Sequence, residues 1–169
     1  AGKEMLWQAP KLSLFRAPTD NDRGNGDSNR QALWHVLSEH ALMHIEKIDV
    51  QPDSLTVVCK YSHPLLPNCD IFVTYVCDEA ASVKVTVDYP GAANQSDLPA
   101  FGLSFQLDAS LKHVDYYGMG PMETYADRCS GAVLGRYHYE VAENMVPYMK
   151  PQECGNRMGV RTLSVTDDA

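Results

Sequence analysis

Regular alternation of apolar and polar residues is the feature that most restricts how this chain can fold. Val83–Asp88 places a valine at every second position, and Phe101–Asp108 does the same with phenylalanine and leucine. A period of two is typical of a β-strand that buries one face and leaves the other polar. The chain is therefore expected to build half-buried sheets.

Further strands are predicted wherever β-branched and aromatic residues concentrate between turn residues. These segments are Met43–Val50, Leu55–Tyr61, Asp70–Cys77, Val133–Val141 and Met158–Val165. One short helix is expected from Asn29 to about His40. About eight closely spaced strands with little helix predict an all-β fold, an antiparallel β-sandwich.

Charge and composition exclude several classes of partner. The chain has 169 residues and a net charge of -8, which disfavours binding to the phosphates of nucleic acid or to an anionic membrane surface. No stretch reaches the roughly 18 consecutive apolar residues of a membrane span. The five cysteines show no Cys-x-x-Cys spacing, which predicts free thiols and a cytoplasmic location.

The opening segment, residues 15–28, reads FRAPTDNDRGNGDS and is too polar to form core. It does not fit an EF-hand calcium loop counted from Asp20, because that pattern needs an oxygen ligand, a glycine and a glutamate where Gly24, Asn25 and Gln31 stand. The expected structure is a polar loop with glycine hinges. No metal site is assigned to it.

Three histidines, His35, His40 and His44, offer a spacing that zinc sites on helices use. The segment is expected to change from helix to strand near Ala41, which would separate His40 from His44. These side chains are therefore predicted to be surface or packing residues.

Two later segments repeat the polar character of the first. The middle segment, residues 117–128, reads YGMGPMETYADR, and the final segment, residues 147–157, reads PYMKPQECGNR. Pro121 can open a helical turn. Two readings stay open for their polar residues: arginines that tie loops to carboxylates, or side chains that line a pocket. The residues are Glu123, Arg128, Glu153, Asn156 and Arg157.

Together the three segments resemble one family. FRAPTDNDRG, YGMGPMETYADR and PYMKPQECGNR, in that order, are similar to the C-terminal, small-chain domain of the bacterial β-galactosidases of glycoside hydrolase family 2. The likeness covers nearly the whole chain. The chain departs from the family pattern at Cys154, where an asparagine is usual, so one side-chain amide of the pattern is missing.

The resemblance implies a galactose-mutarotase-like β-supersandwich, with residues 1–169 as its N-terminal part. It also implies that the domain packs against a (β/α)₈ barrel that carries both catalytic glutamates of a retaining glycosidase. No catalytic residue, cofactor or metal is therefore assigned here, and any Mg²⁺ or Na⁺ of the parent enzyme is expected elsewhere. The expected partners are the remaining enzyme domains, a galactoside substrate and, in an oligomer, further copies.

The resemblance gives the opening segment a role beside the barrel's active site. Its polar side chains would shape a loop close to the substrate, and its glycines would let that loop bend. The residues are Arg16, Asp20, Asn21, Asp22, Gly24 and Gly26.

Two other functions stay open. An aldose 1-epimerase of the same fold would need a carboxylate base and a histidine acid, for which Glu123, Glu153, His113 and His138 are the candidates. A non-catalytic sugar-binding module would use aromatic platforms, and Trp7 and Trp34 are the two tryptophans.

Overall fold

The computed structural model describes residues 4, 6–150 and 152–168. Short helices occupy its first third and antiparallel strands most of the rest, as the sequence predicted for fold class. The elements in chain order are β1 (Lys11–Ser13), α1 (Asp20–Asn25), α2 (Asp27–Arg30), α3 (Ala32–His40), β2 (Leu42–Val50), β3 (Ser54–Ser62), β4 (Ile71–Asp78), β5 (Val83–Asp88), β6 (Gly102–Ser104), β7 (His113–Gly120), β8 (Val133–Glu140), a 3₁₀ turn (Val141–Asn144) and β9 (Thr162–Thr166).

Residue contacts group the chain into two compact units. Unit 1 comprises the described parts of Ala1–Ala9, Ala17–Asn25 and Phe105–Ala169. Unit 2 comprises Pro10–Arg16 and Gly26–Ser104.

Unit 2 contains a four-stranded antiparallel sheet in the order β2-β3-β4-β5. Connections of three to eight residues join its strands, so neighbours in sequence are also neighbours in the sheet. Its buried face carries Ile71 and Val73 of β4, both fully inaccessible to solvent. Alternation along the strand puts these two on the same face.

The core of unit 2 forms where α3 and β1 pack with this face. α3 contributes Trp34 and Leu37, which lie one helical turn apart, and β1 and its continuation contribute Leu12 and Leu14. The indole nitrogen of Trp34 donates to the backbone oxygen of Ser96 at 3.1 Å, so its one polar atom is satisfied. α3 therefore covers part of the sheet and holds β1, which precedes it in the chain, in the same core.

Unit 1 contains a three-stranded antiparallel sheet in the order β8-β7-β9. The central strand, β7, buries Val114, Tyr116, Gly118 and Gly120 at every second position. Because the middle segment begins within β7, the sheet places its remaining residues, 121–128, at one strand end.

Several predicted boundaries were wrong. The Phe101–Asp108 alternation predicted a strand with one buried face, but only Gly102–Ser104 is strand, and Phe101 and Phe105 are 51% and 52% exposed. The last strand covers Thr162–Thr166 rather than Met158–Val165. Both β1 and β7 lacked a clear sequence signal, since β1 is three residues long and β7 contains two glycines.

The helices also differ from expectation. The helix predicted from Asn29 to His40 begins at Ala32, and a separate short helix, α2, precedes it. Gln31 closes α2 and stands at the start of α3, which explains the interruption. The end was predicted correctly: α3 stops at His40 and β2 begins at Leu42, so His40 and His44 lie on different elements.

Candidate functional site

The most constrained polar residue of unit 1 is Glu123, whose side chain is fully buried. It follows β7 through the Gly120–Pro121 peptide, which is cis. A turn connects these residues to Arg128, rather than the helical turn expected at Pro121. Gly120 is required at the strand end, because a Cβ there would lie 2.4 Å from the Tyr116 hydroxyl.

Three donors converge on the Glu123 carboxylate. Oε1 accepts hydrogen bonds from the Arg128 guanidinium and from the Tyr148 hydroxyl, and Oε2 accepts one from the Gly155 backbone N–H at 2.7 Å. A buried carboxylate is tolerated only when it is paired and hydrogen-bonded. These four residues, Glu123, Arg128, Tyr148 and Gly155, are called the Glu123 cluster below.

Backbone and side-chain hydrogen bonds join the middle segment to the final segment and to Met158, which follows it, beside this cluster. The Thr124 N–H donates to the Asn156 carbonyl at 2.8 Å, and the Asn156 side-chain amide donates to the Thr124 carbonyl at 2.7 Å. The Met158 N–H donates to the Thr124 hydroxyl at 2.7 Å. The two segments are therefore joined, and Arg128 is tied to a carboxylate of the same segment.

Gly155 is required for a second reason. Its φ of +82° lies in the left-handed region, and a Cβ would lie 2.7 Å from the Asn144 carbonyl oxygen. The Asn144 side-chain amide also donates to the Gly155 carbonyl at 3.2 Å. The turn after Cys154 is thus held from both sides.

Arg157 differs from what the sequence predicted. Its guanidinium donates to the Gly155 and Asn156 carbonyls at 3.1 and 3.2 Å, and to the Tyr116 hydroxyl at 3.1 Å. It also lies 5.2 Å from the ring centre of Tyr139, within cation–π range. Arg157 therefore anchors the final segment to the sheet through carbonyls and aromatic rings, not through a carboxylate.

Two tyrosines report the electrostatics of the cluster. The hydrogen bond to Glu123 raises the pKa of Tyr148 above its ordinary value, because the phenol donates to a carboxylate. Burial raises the pKa of Tyr125, and the charges of Glu153 and Glu123 add to this effect. Glu153 is half-buried and contributes its charge to the same neighbourhood.

The opening segment contains helix where a loop was predicted. Thr19 precedes α1, and its hydroxyl accepts the Asp22 N–H at 3.3 Å. The Asp22 carboxylate in turn accepts the Thr19 N–H at 2.7 Å and the Thr19 hydroxyl at 2.9 Å. This reciprocal arrangement is a capping box, which satisfies donors at a helix start. The T-x-x-D spacing could have revealed it in the sequence.

The two glycines of the opening segment play different parts. Gly24 lies inside α1, and a Cβ there would meet nothing within 4 Å. Gly26 has a φ of +73° and separates α1 from α2. Only Gly26 therefore uses the conformational freedom of glycine, and Gly24 is not a hinge in this conformation.

One ion pair connects the opening and final segments. The Lys150 ammonium lies 3.6 Å from the Asp20 carboxylate, which also pairs with Arg23 at 3.0 Å. Both partners of the longer pair are exposed, so it stabilises little. It nevertheless brings α1 beside the final segment within unit 1. Asn21 is exposed on α1, and Arg16 is half-buried before it.

A cavity of about 430 Å³ opens beside Glu123. Its walls are formed by two stretches, Gly120–Thr124 and Asp127–Ala132, and the half-buried Cys129 is among them. Glu123 presents a carboxylate that is already hydrogen-bonded to three donors. The cavity therefore offers mostly shape and apolar surface, with Arg128 and Asp127 as its other charged residues.

The residues required by the epimerase alternative do not assemble. His113 begins β7, whereas Glu123 follows the other end, so about 20 Å of strand separates them. His113 lies 2.6 Å from Asp168, and His138 lies 3.2 Å from Asp115 across the sheet. Each histidine is therefore associated with an aspartate at a distance from Glu123.

The sugar-platform alternative loses one of its two residues. Trp34 is 1% exposed and belongs to the core of unit 2, whereas Trp7 is 77% exposed. A stacking platform needs an accessible ring face, so Trp34 cannot serve as one.

Sequence reasoning missed several residues that complete these sites. Asn144 gave no signal, because its partner lies 11 residues away, and Tyr148 was read only as part of the final segment, because its partner lies 25 residues away. Lys150 was read only as part of a motif, and Pro151 of that motif lies outside the described residues. Among residues 4, 6–150 and 152–168, no group of three or more His, Cys, Asp or Glu side chains could hold a metal ion.

No helix within the described part of the chain is long and apolar enough to cross a membrane. All five cysteines are unpaired.

Comparison with known proteins identifies relatives over the whole chain. The family model described as the β-galactosidase small chain matches residues 1–169. The β-galactosidases of Streptococcus thermophilus and Lactobacillus delbrueckii subsp. bulgaricus are 38% and 40% identical, each over 99% of this chain. The β-galactosidase small subunit of Latilactobacillus sakei is 29% identical over 97% of it.

The chain spans only part of these relatives. It covers 16% and 17% of the first two β-galactosidases, and 57% of the small subunit. The similarity therefore concerns a limited part of each longer protein.

Proposed function

The chain belongs to the β-galactosidase small-chain family, and on that premise we propose that it is a non-catalytic part of an enzyme hydrolysing terminal β-D-galactosides. The observation that carries the proposal is the family match over residues 1–169, combined with coverage of only 16% of a β-galactosidase relative. The hydrolysis, with retention of configuration, is performed by two carboxyl groups about 5–5.5 Å apart outside this segment.

Within that enzyme the opening segment contributes to the surroundings of the active site. Its support is chemical: α1 presents Asp20 and Asn21 on an exposed surface, and the capping box fixes the helix start. Short polar side chains on a fixed helix end are suited to hydrogen-bond hydroxyl groups of a sugar. A galactose-mutarotase-like supersandwich is the architecture that we propose for the complete domain.

The Glu123 cluster has a supporting role in this proposal. Its carboxylate is hydrogen-bonded to three donors, which opposes any function as a general base or nucleophile. It fixes the final segment, and Lys150 of that segment reaches Asp20 of α1. The partners of the chain are then the barrel and other enzyme domains in a cytoplasmic oligomer.

Two substitutions in the longer enzyme test the role of the opening segment. Thr19→Ala and Asp22→Ala break the same capping box, so each should destabilise α1 by about 1 kcal/mol. Only Asp22→Ala also removes a carboxylate. We expect it to lower kcat/KM for a chromogenic β-galactoside more than Thr19→Ala does, at matched loss of thermal stability.

The same assay on the isolated chain tests the non-catalytic assignment. Purified wild-type chain should release no chromophore above background. Turnover that persists through repurification and disappears in Glu123→Gln would contradict the proposal. Equal kinetic effects of Thr19→Ala and Asp22→Ala would instead restrict the opening segment to a structural role.

A further inference from the structure

The outer edge of β2 is the least protected part of unit 2. β2 is a nine-residue strand at the edge of the four-stranded sheet, and among the described residues β3 is its one strand neighbour. Eight of its nine residues are exposed, with Asp49 half-buried. A long exposed edge offers unpaired N–H and C=O groups to another strand.

A bulge sorts the side chains of β2 by face. The register with β3 shifts between Ile45 and Lys47, so Glu46 is the extra residue. Before the bulge, Met43 and Ile45 lie opposite Tyr61 and Cys59. β3 residues at these alternate positions share the face of the core residues in β4.

After the bulge the apolar residues return to that same face. Ile48 and Val50 lie opposite Val57 and Leu55, which alternate with Cys59 along β3. The four apolar side chains of this face are 50–74% exposed: Met43, Ile45, Ile48 and Val50. They form an uncovered apolar margin along the edge.

The other face of β2 begins with Leu42 and is polar or charged beyond it. His44, Lys47 and Asp49 lie opposite Lys60, Val58 and Thr56. The pKa of Lys60 is raised chiefly by its hydrogen bond to Asp70, and the charge of Glu46 contributes, which places Glu46 near this face. Positive and negative residues therefore follow one another along it.

We propose that β2 pairs antiparallel with β2 of a second copy of the chain, about a two-fold axis between Glu46 and Lys47. In this register Met43 faces Val50 of the copy, and Ile45 faces Ile48. On the charged face His44 meets Asp49, and Glu46 meets Lys47. Two of these pairs are apolar with apolar, Glu46 with Lys47 joins opposite charges, and His44 with Asp49 joins an imidazole to a carboxylate that can accept its N–H; apolar and opposite-charge pairs stabilise a sheet across strands.

Neighbouring registers lack this match. A shift of one residue would set Met43 against Asp49 in one direction and Ile45 against Asp49 in the other. Met43 and Ile45 lie on the opposite face of the strand from Asp49, so side-chain sidedness excludes both of these registers.

The charges and the bulge explain why this edge would be selective. Both features ordinarily prevent pairing with an arbitrary strand. A two-fold copy presents its own Glu46–Lys47 pair in reverse, so the charges attract instead. One strand pair buries much less than the roughly 1,600 Å² of a standard interface, so a weak, concentration-dependent dimer is expected.

Charge reversal in the 169-residue chain tests the register. In Glu46→Lys each copy would place lysine opposite Lys47, and in Lys47→Glu glutamate opposite Glu46. Each change occurs twice in a two-fold dimer, so each single variant should raise the dissociation constant of the dimer about three- to tenfold. The double variant with both substitutions should restore the wild-type constant, as measured by sedimentation velocity over a hundredfold range of concentration.

The double variant separates dimerisation from monomer stability. Lys47 pairs with Asp49 at 3.1 Å within the strand, so Lys47→Glu removes an ion pair that the double variant does not recover. Its melting temperature at low concentration should therefore stay reduced while dimerisation recovers. The proposal would be overturned by a strictly monomeric wild-type chain, or by a dimer that neither single reversal weakens. It would also be overturned if the double variant dimerises no better than the two single variants.

Discussion

The Glu123 cluster and the capping box of the opening segment both use a carboxylate to fix a loop, but in different surroundings. Glu123 is completely buried, and its partners come from three parts of the chain: Arg128, Tyr148 and Gly155. Asp22 is half-buried and bonds to Thr19, three residues away. The bonds of Glu123 depend on tertiary structure, whereas the bonds between Asp22 and Thr19 lie within one helical turn.

This difference determines how each region should respond to change. Removing a buried acceptor leaves its donors without partners, and water cannot replace it fully. Removing a partly exposed cap leaves donors that water can reach, so the cost is smaller. Polar segments of similar composition can therefore differ several-fold in their contribution to stability.

The largest expected effect tests the buried side of this comparison. Glu123→Ala should lower the free energy of unfolding of unit 1 by about 3 kcal/mol, because the Tyr148 hydroxyl and the Gly155 N–H lose a charged acceptor. Glu123→Gln should also destabilise, since its NH₂ group must face a donor in either orientation. Hydrogen exchange should show faster exchange at Gly155.

An internal reference is available for that measurement. Trp34 and Leu37 belong to the core of unit 2, whereas the Glu123 cluster belongs to unit 1. Amides of α3 should therefore keep most of their protection in Glu123→Ala. Uniform loss of protection in α3 and at Gly155 would show that the cluster is not a local anchor.

Two glycine substitutions, whose expected effects are of intermediate size, test the same comparison. Gly155→Ala should destabilise by about 2 kcal/mol, because its φ of +82° is left-handed and the new Cβ would lie 2.7 Å from the Asn144 carbonyl oxygen. Gly24→Ala should instead stabilise by about 0.4–1 kcal/mol, since Gly24 is helical and its Cβ position is open. Urea unfolding of both variants measures the sign of each change in the free energy of unfolding.

The paired design makes the result easy to interpret. Equal destabilisation by both substitutions would mean that Gly24 leaves the helical conformation in solution. The opening segment would then be a hinged loop, as its composition first suggested.

The smallest effect concerns alkaline pH. The hydrogen bond to Glu123 raises the pKa of Tyr148 above its ordinary value of 10.0, so the folded state favours the neutral phenol. This contribution is fully present below pH 10.0 and is lost as pH rises through the higher pKa of the folded state. Protection at Gly155 should fall over that range, and less steeply in Tyr148→Phe.

The capping box provides the contrast. Asp22 bonds to a backbone N–H and to a threonine hydroxyl, neither of which titrates in that range. Protection at Asp22 should therefore show no step attributable to Tyr148. An identical pH response in wild type and Tyr148→Phe would exclude Tyr148 as the titrating group.

Local pattern was sufficient for the four-stranded sheet of unit 2 and for the family. Val83–Asp88 was predicted to its exact bounds, because alternation and flanking turns are recorded in consecutive residues. The segments that carry the family resemblance are also contiguous, and the family match confirmed them over the whole chain. Information of this kind needs no knowledge of distant contacts.

Phe101–Asp108 shows where the same pattern failed. Its alternation is regular, but its pairing with β1 covers only Gly102–Ser104, and beyond that only an isolated bridge joins Leu107 to Leu6. Whether an alternating segment buries its apolar face depends on what packs against it. The sequence of the segment alone does not contain that information.

The sequence by itself determined which residues carry polar chemistry, the strand-rich fold class and the family. Tertiary structure alone decided which polar residues meet: that Glu123 binds Tyr148 and Gly155, that Arg157 anchors to carbonyls and Tyr116, and that Trp34 is core. The physical reason is range. Alternation and capping act between residues a few positions apart, whereas burial of a carboxylate requires donors that only chain folding brings within hydrogen-bond distance.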